Sequence, residues 1–182
     1  LNKATELIII QNYGGMVGGA DYYIYQYAKD NELNIKAVYT IKMPENFTLT
    51  FTVPKFYVNR TLKNADKRIN NVINSIVSGY YKIPKKCKTK RDTYLKNKSN
   101  WHLIGEDFST TQNCIKCGKC VSICPVNNIS LQNEKIVFSN KCVACLGCYH
   151  RCPLKAIIYK GKNKKDRYIN SNVIESNIGR DL

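Results

Sequence analysis

The sequence predicts a parallel α/β segment followed by a small α+β domain organised around cysteines, and three observations carry that prediction. Up to Val77, apolar runs and helical periodicities alternate as strand, helix, strand, helix. Beyond that segment, one four-cysteine spacing occurs twice, at Cys114, Cys117, Cys120, Cys124 and at Cys142, Cys145, Cys148, Cys152. The two copies align at one constant offset, with Pro125 matching Pro153 and Ile129 matching Ile157, which marks a doubled half-domain.

The elements follow in chain order. Leu7 to Gln11 is a short apolar run that stops at Asn12-Tyr13-Gly14-Gly15, and Ala20, Ile24, Tyr27 and Ala28 then share a helical face. A second apolar strand runs from Ile35 to Ile41. After Pro44 and Pro54 comes a longer helix with Leu62, Ala65, Ile69, Val72, Ile73, Ile76 and Val77 at helical spacing. Near-continuous apolar strands suit a parallel sheet, whose strands are covered on both faces. In the cysteine region, Ile129 to Leu131, Lys135 to Phe138 and Ala156 to Tyr159 read as short strands, with Asn133-Glu134 as a turn. The domain boundaries expected from this are 1–81 for the α/β part, 82–104 for a basic linker, 105–160 for the cysteine domain and 161–182 for a tail.

The cysteine spacing selects a metal chemistry. A structural zinc site joins two Cys-x-x-Cys pairs into one tetrahedron, which would leave the third cysteine of each run unexplained. Three thiolates in a tight loop can instead wrap one corner of an iron–sulfur cubane, while the fourth, turned away at Cys-Pro, reaches another cluster. This is the signature of a ferredoxin with two [4Fe–4S] clusters, and zinc is the alternative. A disulfide framework fits worse, since nothing else suggests a small secreted domain. The ferredoxin arrangement implies that Cys114, Cys117, Cys120 and Cys152 hold one cluster, and that Cys142, Cys145, Cys148 and Cys124 hold the other. The small or apolar residues between them (Gly118, Val121, Ile123, Val143, Ala144, Gly147) let backbone amides approach sulfur and keep water away.

The formal net charge of +16 invites a nucleic-acid reading, but its placement argues against one. Lys82, Lys85, Lys86, Lys88, Lys90, Arg91, Lys96 and Lys98 against Asp92 put +7 into one stretch without hydrophobic periodicity, which reads as a solvated tether. A docking surface for an acidic redox partner protein is the better use of the charge. No apolar run approaches membrane-spanning length, and the expected location is cytoplasmic. Cys87 lies among lysines but has no cysteine or histidine at ligand spacing, so it reads as a linker thiol. His150, between Cys148 and Cys152, reads as a solvent-facing loop residue. Trp101, His102 and Phe108 precede the first motif, and the aromatics read as packing the cysteine domain against the linker rather than as electron carriers.

Tyr13-Gly14-Gly15, the Lys42-Met43-Pro44-Glu45-Asn46-Phe47 stretch, the helix after it and the two cysteine motifs together resemble a bacterial family that fuses a flavodoxin-like domain to a ferredoxin. Arg167-Tyr168 resembles a C-terminal feature of the same family. The resemblance implies a flavodoxin-like parallel sheet, with Tyr13, Gly14 and Gly15 on the loop that borders a flavin ring. The family's phosphate loop has no counterpart before Leu1, and the chain does not begin with Met. The expectation is therefore a fragment carrying the last strands and helices of the flavodoxin part, with the other half as a partner and without tight FMN binding. The glycines from Gly14 to Gly19 fit neither a dinucleotide nor a Walker pattern. The expected function is low-potential one-electron transfer. The alternatives are a regulatory module using the clusters or the basic tether, and a flavin-dependent reductase in the full-length protein.

Overall fold

Strands and helices form close to where the apolar periodicities place them. The computed structural model describes residues 3–49, 52–87, 101–163, 167–170 and 173, and divides the chain into two compact units. The first comprises Leu1–Glu45 and Val53–Arg91, the second Asn46–Thr52 and Asp92–Leu182. Among the described residues no helix is long and apolar enough to cross a membrane. Lys88, Lys90, Arg91, Lys96 and Lys98 of the basic stretch lie outside the described residues.

In the first unit β1 (Leu7–Tyr13) and β2 (Ile35–Lys42) pair in parallel, from Leu7 opposite Ile35 to Tyr13 opposite Lys42, with a register shift after Leu7. The crossover is α1 (Ala20–Asp30), which buries Ala28 against Ile35 and Val38. Its start is set by Gly18 and Gly19, both in the left-handed region that glycine adopts without penalty. A side chain at Gly19 would collide with Cys87 Sγ, so the close approach also requires glycine. α2 (Lys55–Val77) follows, with Pro54 immediately before its first residue. Two strands cannot cover its whole apolar stripe. Thr61 and Ala65 are buried, Leu62, Val72 and Ile76 are half-buried, and Ile69, Ile73 and Val77 are exposed, Val77 to 82%. The chain then returns along β2, where Val38 N–H donates to the Lys82 carbonyl at 3.1 Å.

The second unit starts with a 3₁₀ turn (Trp101–Asp107) leading into β3 (Phe108–Thr110). Then come α3 (Lys119–Ser122), the hairpin β4 (Ile129–Gln132) and β5 (Lys135–Phe138), α4 (Gly147–Arg151) and β6 (Ile157–Tyr159). β3 pairs antiparallel with β6, and β4 with β5. Asn133 and Glu134 both have positive φ, as a tight hairpin turn demands. Phe108 is a core residue of this unit, stacked on Phe138 and tilted against Tyr159, where sequence reasoning had it packing on the linker. His102 is exposed. The core consists of Leu49, Phe108, Leu146, Tyr149 and Ile157, with Cys120, Cys142, Cys148 and Cys152 packed against it. Leu49, only 5% exposed, reaches this core from the stretch after Pro44, which sequence reasoning grouped with the α/β part.

Candidate iron–sulfur centres

The doubling seen in the sequence recurs in the backbone. Lys116 and Ala144 occupy the left-handed region at φ 57° and 55°, Gly118 and Leu146 at 73° and 58°, Asn127 and Lys155 at 50° and 51°, each pair at the cysteine offset. Five of these six residues are not glycine, and each pays for that conformation. What the conformation secures is the path of the cysteine loops. α3 and α4 begin at the same offset. So do two N–H···S bonds: Asn128 N–H donates to Cys124 Sγ at 3.1 Å, and Ala156 N–H to Cys152 Sγ at 3.2 Å. Ala144 N–H adds a third, to Cys142 Sγ at 3.4 Å.

Two cavities result. The first is lined by Cys114, Cys117, Cys120 and Cys152, together with Ile115, Lys116, Lys119, Ile136 and Leu154. The second is lined by Cys124, Cys142, Cys145 and Cys148, together with Phe108, Val126, Phe138, Val143 and Leu146. Each thus takes three cysteines from one repeat and the fourth from the other. The sulfurs rim these spaces without converging on one point; among the described residues no three Cys, His, Asp or Glu side chains group as one bound metal ion requires. Cys117 and Cys145 are exposed and Cys124 is buried.

The thiols interact electrostatically within each cavity. Burial pushes Cys120 up to about 11, helped by Cys114 and Cys117 and opposed by backbone N–H groups. Burial pushes Cys148 up to about 12, with Cys145 and Cys142 adding to the rise. Cys142 is raised by burial first, with Cys145 and Cys124 adding to it. Burial and neighbouring sulfurs oppose ionisation of Cys120, Cys142 and Cys148, a cation among them reverses that balance, and thiolate is the form that binds metal. The donor set therefore fits an iron–sulfur cluster: four thiols, inward N–H groups and an apolar wall.

The surroundings hold the loops in place. Asn128, buried, accepts from Ser139 Oγ and Lys141 N–H through its side-chain oxygen, tying the Cys124 turn to the approach of Cys142. His150 is 5% exposed, so it is a buried strut rather than a solvent-facing residue. Its Nδ1 accepts from Tyr168 N–H at 3.1 Å, which places the ring proton on Nε2, donating to the Asn46 carbonyl at 2.8 Å. Burial lowers its pKa first of all; Asn46 opposes this, and Arg167 and Arg151 add to it. Asn46 Nδ2 also donates to the Cys145 carbonyl at 3.4 Å. Arg167, to which the sequence assigned no chemistry, donates to the carbonyls of Tyr149, Lys155 and Ile157 and lies 3.3 Å from the Tyr149 ring centroid. Its charge acts on both Cys152 and Cys148, one from each cavity.

In the first unit, Gly15 N–H donates to Glu45 Oε2 at 2.8 Å, and a side chain at Gly14 would strike the same carboxylate. Two sequence markers, Tyr13-Gly14-Gly15 and the Met-Pro-Glu stretch, are thus joined by one contact. Cys87 is half-buried beside Gly19 and lines neither cysteine cavity.

Residues 113–156 match the family model of a 4Fe-4S dicluster domain. With the fold around them, these residues make a ferredoxin-like iron–sulfur domain within a mixed helix and strand chain. No curated protein matches the chain.

Proposed function

We propose that the protein is a low-potential one-electron carrier, with Cys114, Cys117, Cys120 and Cys152 holding one [4Fe–4S] cluster and Cys142, Cys145, Cys148 and Cys124 a second. Such a cluster supplies reversible one-electron chemistry. The observation that carries this reading is the division of the eight cysteines between two cavities, three from one repeat and one from the other in each. The N–H groups of Asn128, Ala144 and Ala156 offset negative charge on sulfur. The apolar walls exclude water and disfavour added charge, which keeps the potential low.

Anaerobic reconstitution tests the reading by chemical analysis and low-temperature EPR. About eight iron and eight sulfide per chain are expected from two cubane sites. Cys124→Ser should damage the site built from Cys142, Cys145 and Cys148, and Cys152→Ser the other. The opposite pattern refutes the ligand assignment, and zinc in place of iron refutes the function.

In the finer reading, the first unit is part of a flavodoxin-like domain whose flavin, in the full-length protein, exchanges electrons with the cysteine domain, and the basic stretch is a tether. The parallel pairing of β1 and β2 and the Glu45 contact to Gly15 support it. The glycines from Gly14 to Gly19 offer no phosphate motif. Weak quenching in an FMN fluorescence titration is therefore the expected result, and stoichiometric tight binding would overturn this part.

A further inference from the structure

The two cysteine cavities differ in charge. The wall of the first includes Lys116 and Lys119, whereas among the described residues no charged one lines the second. Around the first, Cys117 is exposed, Ile115 is 62% exposed and Leu154 47%, so sulfur, apolar surface and positive charge meet at one place. The second also has an exposed sulfur at Cys145, but Asn46 is bonded to that residue's carbonyl and Leu49 belongs to the same buried cluster as Leu146. From Trp101 to Asn170 the sequence holds eleven lysines and arginines against four aspartates and glutamates. The exposed Glu134 carboxylate pairs with Lys116 at 2.9 Å.

We propose that the Cys114, Cys117, Cys120, Cys152 site is the electron port of this protein and that an acidic redox protein docks on it through Lys116 and Lys119, with Ile115 and Leu154 as the apolar contact. This rests on the reading of the cysteines as cluster ligands. Charge at the rim of an interface acts on encounter rate and on salt dependence, and apolar contact at its centre excludes water. One electron leaves the reduced site and lowers the oxidation state of the docked partner's redox centre by one; no proton or atom is exchanged. Lysines beside this site and not the other also stabilise the added electron there, so the electron rests where the partner docks.

The test uses the reconstituted full chain, reduced with dithionite, in stopped-flow oxidation by cytochrome b5, an acidic haem protein, and by cytochrome c, a basic one. The rate with cytochrome b5 should fall with added salt. It should drop by about threefold or more in Lys116→Glu/Lys119→Glu at low ionic strength, while the rate with cytochrome c rises. Glu134→Gln, which removes the offsetting carboxylate, should raise the cytochrome b5 rate. Lys63→Glu/Lys67→Glu on exposed positions of α2 makes the same change in net charge and should leave the ratio of the two rates unaltered. Salt-independent rates, or equal effects of the two double variants, overturn the port while leaving the cluster reading intact. Wild-type protein that takes up no iron and sulfide overturns both. Should the double charge reversal prevent iron uptake, Glu134→Gln and the salt dependence of the native chain decide the matter.

Discussion

Replacing Arg167 should separate the mechanical from the electrostatic duty of one side chain. The guanidinium donates to three carbonyls, at Tyr149, Lys155 and Ile157, which flank Cys152 on both sides, and it covers the Tyr149 ring. In Arg167→Lys the positive charge stays, but an ammonium on a flexible stem cannot span the three acceptors as a planar fork does. Two charge-assisted hydrogen bonds are then lost. At the lower end of their range, because Arg167 is only half-buried, the cost is about 2–3 kcal/mol. For a unit of this size that corresponds to a fall of roughly 10–20 °C in the midpoint of thermal bleaching, followed by visible absorbance of the reconstituted protein. Arg167→Gln should cost about 1 kcal/mol more through the lost ring contact. It should also move both cluster midpoints to more negative values, because the removed charge acts on Cys148 and Cys152 together. Protein-film voltammetry reads that shift, and Arg167→Lys should leave it near zero. A lysine variant that bleaches with the wild type would refute the clamp. A glutamine variant with unshifted midpoints would refute the electrostatic role.

Leu49→Ala should destabilise the cysteine unit by about 2–5 kcal/mol, as for other buried leucines, and leave the first unit's helices unaffected; bleaching midpoints and far-UV circular dichroism distinguish the two. Gly105→Ala places a Cβ against the Ser139 carbonyl and 3.0 Å from Cys142 Cβ, so it should cost about 1–3 kcal/mol and speed cluster loss at the second site, read by EPR. His150→Phe keeps the ring volume but removes the links to Asn46 and Tyr168, leaving a carbonyl and an N–H without partners; a loss of about 1–3 kcal/mol is expected in thermal bleaching.

The cysteine centres were legible because their information is local: spacing within each loop, a proline at its end and a constant offset between copies. The strands from Ile129 to Phe138 were legible for a similar reason, since short apolar runs flank an evident turn at Asn133-Glu134. What the sequence hid depends on distance along the chain. Asn46 meets His150 across 104 positions, and no periodicity links them, so a residue between two cysteines read as solvent-facing while the fold buries it. Arg167 acts on backbone carbonyls, which every residue carries, and so leaves no trace in the residue types of its partners. The apolar stripe of α2 announced a buried face, yet periodicity states only that a face exists and not how much surface a two-stranded sheet can offer it. β3, three residues long, carries too few side chains to alternate visibly.

Because each cavity borrows its fourth cysteine from the opposite repeat, neither repeat is a self-sufficient binding unit. A chain cut between Phe138 and Lys141 would leave two pieces, each with three thiols around an incomplete rim and one thiol aimed at a space that its own piece does not enclose. Two copies of the same piece could complete each other only by forming a twofold pair, trading fourth cysteines as the two halves do within this chain. Duplication within one polypeptide turns that concentration-dependent pairing into a fixed one. The consequence is a shared demand on assembly: a single cysteine lesion opens one rim, whereas losing a whole repeat opens both.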